Sequence, residues 1–165
     1  MNLSALFPTW LTHIPFGWIV FVLLVLLLTI DAMRSGAAHA SIIAITSPVS
    51  LFLFSLIPHT FLLESVIAPF LASTYVMAGI LVVIFIAVFL LTNRMTATFG
   101  GSSGGLMNSF LAGISGTIAL IVMWLQIPAL VALWNPGNQI HAIFGLPYAL
   151  LWFLGVFIIL AFVRS

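Results

Sequence analysis

Apolar residues run through this chain in long blocks, separated by short breaks that carry polar residues, glycine or proline. Five blocks are long enough to cross a hydrocarbon core of about 30 Å as helices, which takes roughly 17–25 residues each. They cover residues 14–33, 37–57, 75–92, 106–125 and 143–163. A segment in lipid has no water to satisfy its backbone, so the helix, which pairs every N–H and C=O within itself, is the expected form. Barrel strands would alternate apolar and polar residues over about 10 positions. Phe21 to Leu28 is apolar at every position instead. The pattern predicts an all-α, polytopic transmembrane helical bundle, a single integral membrane domain over residues 1–165.

The breaks differ in kind. Residues 34–40 form a tight turn, and residues 58–74 a longer segment in which Leu62, Leu63, Val66, Ile67 and Phe70 suit a short interfacial helix limited by Pro69. Residues 95–105 are glycine-rich and read as a hinge. Residues 126–142, with Pro128, Pro136 and Gly137, read as a punctuated loop. Ser47-Pro48 predicts a kink in the second span, and Pro147 and Gly155 predict others in the fifth.

Small residues recur at every fourth position: Gly36, Ala40 and Ala44, then Ser109 and Gly113, then Ala112 and Gly116. Lipid tails give helices no hydrophobic reason to associate, so small residues that let backbones approach mark the expected helix contacts. The plainer reading is that membrane helices are rich in glycine anyway. The fourth span favours real packing, because its small residues share one sector.

Composition sharpens the picture. The chain is 64% apolar and 3% charged, against about 25% charged in an ordinary soluble domain. It has three arginines, two acids, no lysine and a net charge of +1, which leaves no basic surface for nucleic acid. No cysteine is present, so disulfides, thiolate metal sites and cysteine nucleophiles are excluded. Ala38-His39-Ala40 mimics a signal-cleavage site, but nothing before Arg34 is basic and Asp31 and Arg34 intervene; the first span reads as a permanent anchor. Arg34, Arg94 and Arg164 follow spans one, three and five, which places all three on one side, the cytoplasm by the positive-inside rule. The N-terminus is then outside and the C-terminus inside. Trp10, Trp18 and Trp134 suit the outer interfacial belt.

A first span followed by an Arg-x-Gly turn and a small-residue helix makes one half of a pattern. Asn93-Arg94, a glycine-rich loop and Gly105-Leu-Met-Asn-Ser-Phe-Leu-Ala-Gly-Ile-Ser-Gly116 make the other. Over roughly residues 16–133 the chain resembles the colicin V production protein family of small bacterial inner-membrane proteins. The resemblance implies a multi-pass protein of the inner membrane, linked to bacteriocin production and envelope homeostasis, with no enzymatic site and no cofactor to carry over. Ser115-Gly116 stands where family members often have Arg-Gly, and residues 143–163 add a full span.

Few side chains offer chemistry. Asp31 and Arg34, three apart on a helix, read as an ion pair at the cytoplasmic rim; the sharper alternative is a proton or ion relay through Asp31. Glu64 reads as a solvated outer residue, with a cation-attracting rim as its alternative. His13, His59 and His141 fall on the outer face and His39 inside. Three converging imidazoles would suit copper or zinc. No His-x-x-His spacing pre-organises them, and no metal or haem is expected. Gly101-Ser102-Ser103-Gly104 matches the nucleophile motif of rhomboid proteases, with His141 as a base, but the fourth span sets Ser103 and His141 a membrane apart. That loop also lacks the lysine of a phosphate cradle.

The expected function is therefore non-enzymatic, acting through helix association in a homo-oligomer or with other membrane subunits in the lipid bilayer. Competing readings are a small channel or carrier, for which Thr46, Ser47, Ser50 and Ser55 supply hydroxyls, and an accessory subunit of a larger membrane enzyme.

Overall fold

The computed structural model describes residues 15–57, 73–96 and 105–163. Every regular element among them is helical. In chain order these are α1 (Phe16–Ser35), α2 (Ala37–Leu56), α3 (Thr74–Thr96), α4 (Leu106–Gln126), α5 (Pro128–Leu133), α6 (Asn138–Phe144), a 3-10 turn (Leu146–Tyr148) and α7 (Ala149–Val163). Five stretches are long and apolar enough to cross a membrane: α1, α2, Thr74–Met95, α4 and the run Asn138–Val163. The protein is a multi-pass membrane protein.

Helix α4 is the hub, touching α1, α2 and α7. Of its most apolar stretch 61% is buried, against 11% for α1 and 17% for α3. Small side chains make this possible. A Cβ added at Gly113 would meet Thr29 N at 2.8 Å and Thr29 Cα at 2.9 Å, so α1 and α4 touch backbone to backbone there. At Gly116 the same atom would lie 3.1 Å from Leu28 Cδ1 and 3.4 Å from the Ala40 carbonyl, which seats α2 beside α1 on the same helix. Contacts advance together along α2 and α4, from Ala40 at Gly116, through Ala44 at Ile118–Val122, to Leu51 and Phe54 near Trp124 and Ile127. Those two helices run parallel. Along α1 the order reverses, with Gly17 and Trp18 at Pro136–Ile140 and Ala32 near Ala112.

Helix α3 is the outlier. Among the described residues its neighbours of any extent are α2 and the short α5, where Ala78 and Leu81 pack with Ile127, Ala129 and Leu130.

Two expectations change. The fifth span is not one helix over 143–163: it breaks at Gly145, and α6 and α7 flank a 3-10 turn holding Pro147. Proline lacks an N–H and disfavours helix in the residue before it, which accounts for the break. Gly155, by contrast, sits inside α7. The region 126–142 is not simply a loop, because Pro128 starts α5 and Gly137, at φ 101°, precedes α6. Helix α2 carries Pro48 within one helical run.

Tryptophans tie the Pro136 end together. Trp18 Nε1 donates to Gln139 Oε1 at 2.9 Å, Trp124 Nε1 to the Trp134 carbonyl at 2.9 Å, and Trp152 Nε1 to the Ile143 carbonyl at 2.7 Å. Indole rings with an apolar body and a polar N–H suit the lipid–water boundary.

Candidate functional site

The hairpin between α1 and α2 is closed by one residue. Gly36 sits at φ 93°, ψ 150°, a conformation open essentially to glycine alone, and His39 N returns a hydrogen bond to its carbonyl at 3.0 Å. This turn folds the first turn of α2 back over the last turn of α1. As a result His39 Nδ1 lies 2.6 Å from Asp31 Oδ2, and Ser35 Oγ donates to Asp31 Oδ1 at 3.3 Å. The ring of Phe89, from α3, stands edge-on to the imidazole at 5.5 Å. Both polar side chains are about one-third exposed.

The partner of Asp31 is therefore His39, eight residues on, and not Arg34. Among the described residues the carboxylate makes no contact with Arg34, which is exposed. A second group of polar atoms lies deeper. Thr46, Ser47 and Ser50 of α2 and Ser109, Ser115 and Thr117 of α4 are buried. Several helix hydroxyls bond their own backbone one turn back: Ser41 to Ala37 O, Ser47 to Ile43 O, Ser115 to Leu111 O and Thr117 to Gly113 O, at 2.8–2.9 Å, and Ser55 to Phe52 O at 2.7 Å. Thr46 Oγ1 and Ser50 Oγ do not, although both residues are 0% exposed. Neither has a hydrogen-bond partner among the described residues, nor do the buried atoms Thr29 Oγ1 and Gln126 Nε2. A buried hydroxyl without a partner costs about 1–3 kcal/mol.

Sequence reasoning named Thr46 and Ser50 but grouped them with Ser47 and Ser55, which point elsewhere; Ser47 is tied to its own backbone and Ser55 is exposed. The signal that separates them is phase with His39. The helix repeat places Thr46 and Ser50 within about 20° of His39 around α2, on the side that Phe89 identifies as facing α3.

The small residues picked from spacing sit inside the bundle. Ala40, Ala44 and Ala112 are 0% exposed, Ser109 1%, and Gly113 and Gly116 are buried against α1 and α2. Gly36 serves the turn. Their contacts are within this chain, so they leave the outer faces free. Arg94 lies in the last turn of α3. His13, His59, Glu64, the Gly101–Gly104 motif, Trp10, the expected interfacial helix and Arg164 fall outside the described residues. His141 is in α6, and no group of three His, Cys, Asp or Glu gathers among the described residues. A shallow apolar groove of about 480 Å³ runs along Ala142, Ile143, Tyr148, Leu151, Trp152 and Gly155.

Comparison with family models, with curated proteins and with solved structures found no match.

Proposed function

We propose that this protein works as an integral membrane subunit, joining a homo-oligomer or a larger envelope complex through the outer faces of its helices, without catalysing a reaction. The observation that carries this reading is the imbalance of burial. Large side chains along α1, including Leu23, Leu26, Leu27 and Ile30, and along α3, including Val83, Ile86, Leu90 and Leu91, are exposed, while the small residues are spent on internal contacts. Exposed apolar helix faces of that length need lipid or other helices against them.

The setting we propose is the bacterial inner membrane, with the N-terminus outside and the C-terminus in the cytoplasm. Support comes from Arg34, Arg94 and Arg164 following odd-numbered spans. The process is peptide-toxin production or envelope maintenance, supported by the Arg-x-Gly turn and the Gly105–Gly116 pattern that resemble colicin V production proteins. Solubilisation in mild detergent and native mass measurement test the reading. A mass well above the 17.8 kDa chain, or a co-purifying membrane subunit, is expected. A single bare chain in both detergent and bilayer discs would contradict it.

A further inference from the structure

We infer that the seam between α2 and α3 conducts protons across the membrane, with the Asp31–His39 pair as its entry. This goes beyond the assembly reading and does not depend on it.

Two observations converge on the seam. At one end, Asp31 Oδ2 holds His39 Nδ1 at 2.6 Å, which leaves Nε2 as the ring nitrogen that the carboxylate does not engage. Both side chains remain partly open to the surface, as an entry requires. Along the seam, Thr46 and Ser50 continue the line of His39, and their hydroxyls are fully buried without a partner among the described residues. On α4, outside the α2–α3 contact, Gln126 Nε2 is buried and unpartnered too. Helices α2 and α4 run parallel from the Ala40–Gly116 contact, and Ser50 and Gln126 each lie ten residues beyond it. That places the two at one depth.

The dimensions fit a relay. His39 to Ser50 spans eleven residues of helix, about 16 Å, which is half of a hydrocarbon core. His39 and Thr46 are about 10 Å apart along the axis, so the relay requires water over the intervals between protein groups.

The chemistry selects a proton over other cargo. A hydroxyl both donates and accepts, so it can pass one proton on as it takes up another. His39 takes a proton from water at one face and water at the other receives one; only O–H and N–H bonds are exchanged, and nothing is oxidised. Among the described residues Asp31 is the one carboxylate, so no ring of carboxylates there could replace the hydration shell of a metal ion. On the α3 side the packed side chains are apolar, Leu81 and Ala78, 2% and 7% exposed. The remaining titratable groups on the packed helices are Arg34 of α1 and Tyr75 and Arg94 of α3, all at helix ends; α4 has none. Acid and imidazole groups within membrane spans are costly and typically mark such paths.

The test uses the purified full chain in phosphatidylethanolamine–phosphatidylglycerol vesicles that hold a pH-sensitive dye. An outward potassium gradient with valinomycin drives proton entry. Wild-type vesicles should acidify faster than protein-free ones while retaining the dye. Asp31→Asn, His39→Gln and the double variant Thr46→Val/Ser50→Ala should each fall to the protein-free rate. Ser47→Ala, whose hydroxyl is tied to its own backbone, should keep the wild-type rate. Loss of two unpartnered buried hydroxyls does not weaken the fold, and an unchanged circular dichroism spectrum of the double variant separates lost conduction from misfolding. Acidification of wild-type vesicles at the protein-free rate would overturn the proposal, as would a double variant that conducts like wild type. A failed assembly would show in native mass and leave the flux intact.

Discussion

Gly113 of α4 lies directly against Thr29 of α1, with room for a hydrogen and none for a methyl group. Beyond the Thr29 hydroxyl, the obstacles include the backbone atoms Thr29 N and Cα, which cannot swing aside as a side-chain tip could. Replacing Gly113 by alanine should therefore destabilise the bundle by about 1–3 kcal/mol, the usual cost of overpacking. Gly79 of α3 is the control, since a Cβ there meets nothing within 4 Å. Gly79→Ala should be neutral or gain up to about 1 kcal/mol from helix propensity. Unfolding in detergent mixtures of increasing denaturing strength reads both. Equal effects at the two positions would remove Gly113 as the pivot of the α1–α4 contact.

Gly36 tests the turn by conformation alone. No atom lies within 4 Å of an added Cβ, yet φ is 93° with ψ 150°. Gly36→Ala should cost about 1–3 kcal/mol from backbone strain. Gly36→Asn should not rescue it, because asparagine tolerates the left-handed helical region and not this extended mirror region. Stability of either variant at the wild-type level would mean that the hairpin does not need this turn.

Asp31 and His39 should be coupled energetically. In a double-mutant cycle of Asp31→Asn and His39→Gln, the coupling should be about 1 kcal/mol, a modest value because both side chains are partly exposed. Arg34→Gln should show no coupling to Asp31→Asn. Coupling to Arg34 instead of His39 would contradict the geometry described.

The difference between these partners shows what a linear reading can reach. Helix periodicity relates Asp31 to Arg34, three residues on, because both belong to one helix. Its relation to His39 passes through the turn at Gly36, which no periodicity encodes. The spans themselves were legible, since blocks such as Phe21–Leu28 leave no other way to satisfy a backbone in lipid. Residues 37–57, 75–92 and 106–125 correspond to α2, α3 and α4 within a few residues. The small residues of the fourth span were legible as contact positions, but their partners were not. Spacing says that backbones can approach; it does not say whether Gly113 meets Thr29 of the same chain or a second copy. In the fifth span Pro147 signals an interruption, and the structure makes it a full break with a 3-10 turn, whereas Gly155 stays inside α7. Hydropathy alone hides that break, because apolar residues such as Phe144, Leu146 and Leu150 lie on both sides of it. Thr46 and Ser50 stood out from Ser47 only once a ring on α3 identified which side of α2 faces it.

All of this rests on an odd number of crossings, with the α1–α2 turn and the Pro136 region at opposite membrane surfaces. The chain has no cysteine, so single substitutions can be labelled without background. Ser35→Cys, Met95→Cys and Asn135→Cys, expressed in cells and treated with a membrane-impermeant maleimide, measure this directly. Asn135→Cys should label in intact cells, and Ser35→Cys and Met95→Cys only after the membrane is opened. Labelling of Ser35→Cys and Asn135→Cys from the same side would contradict the account.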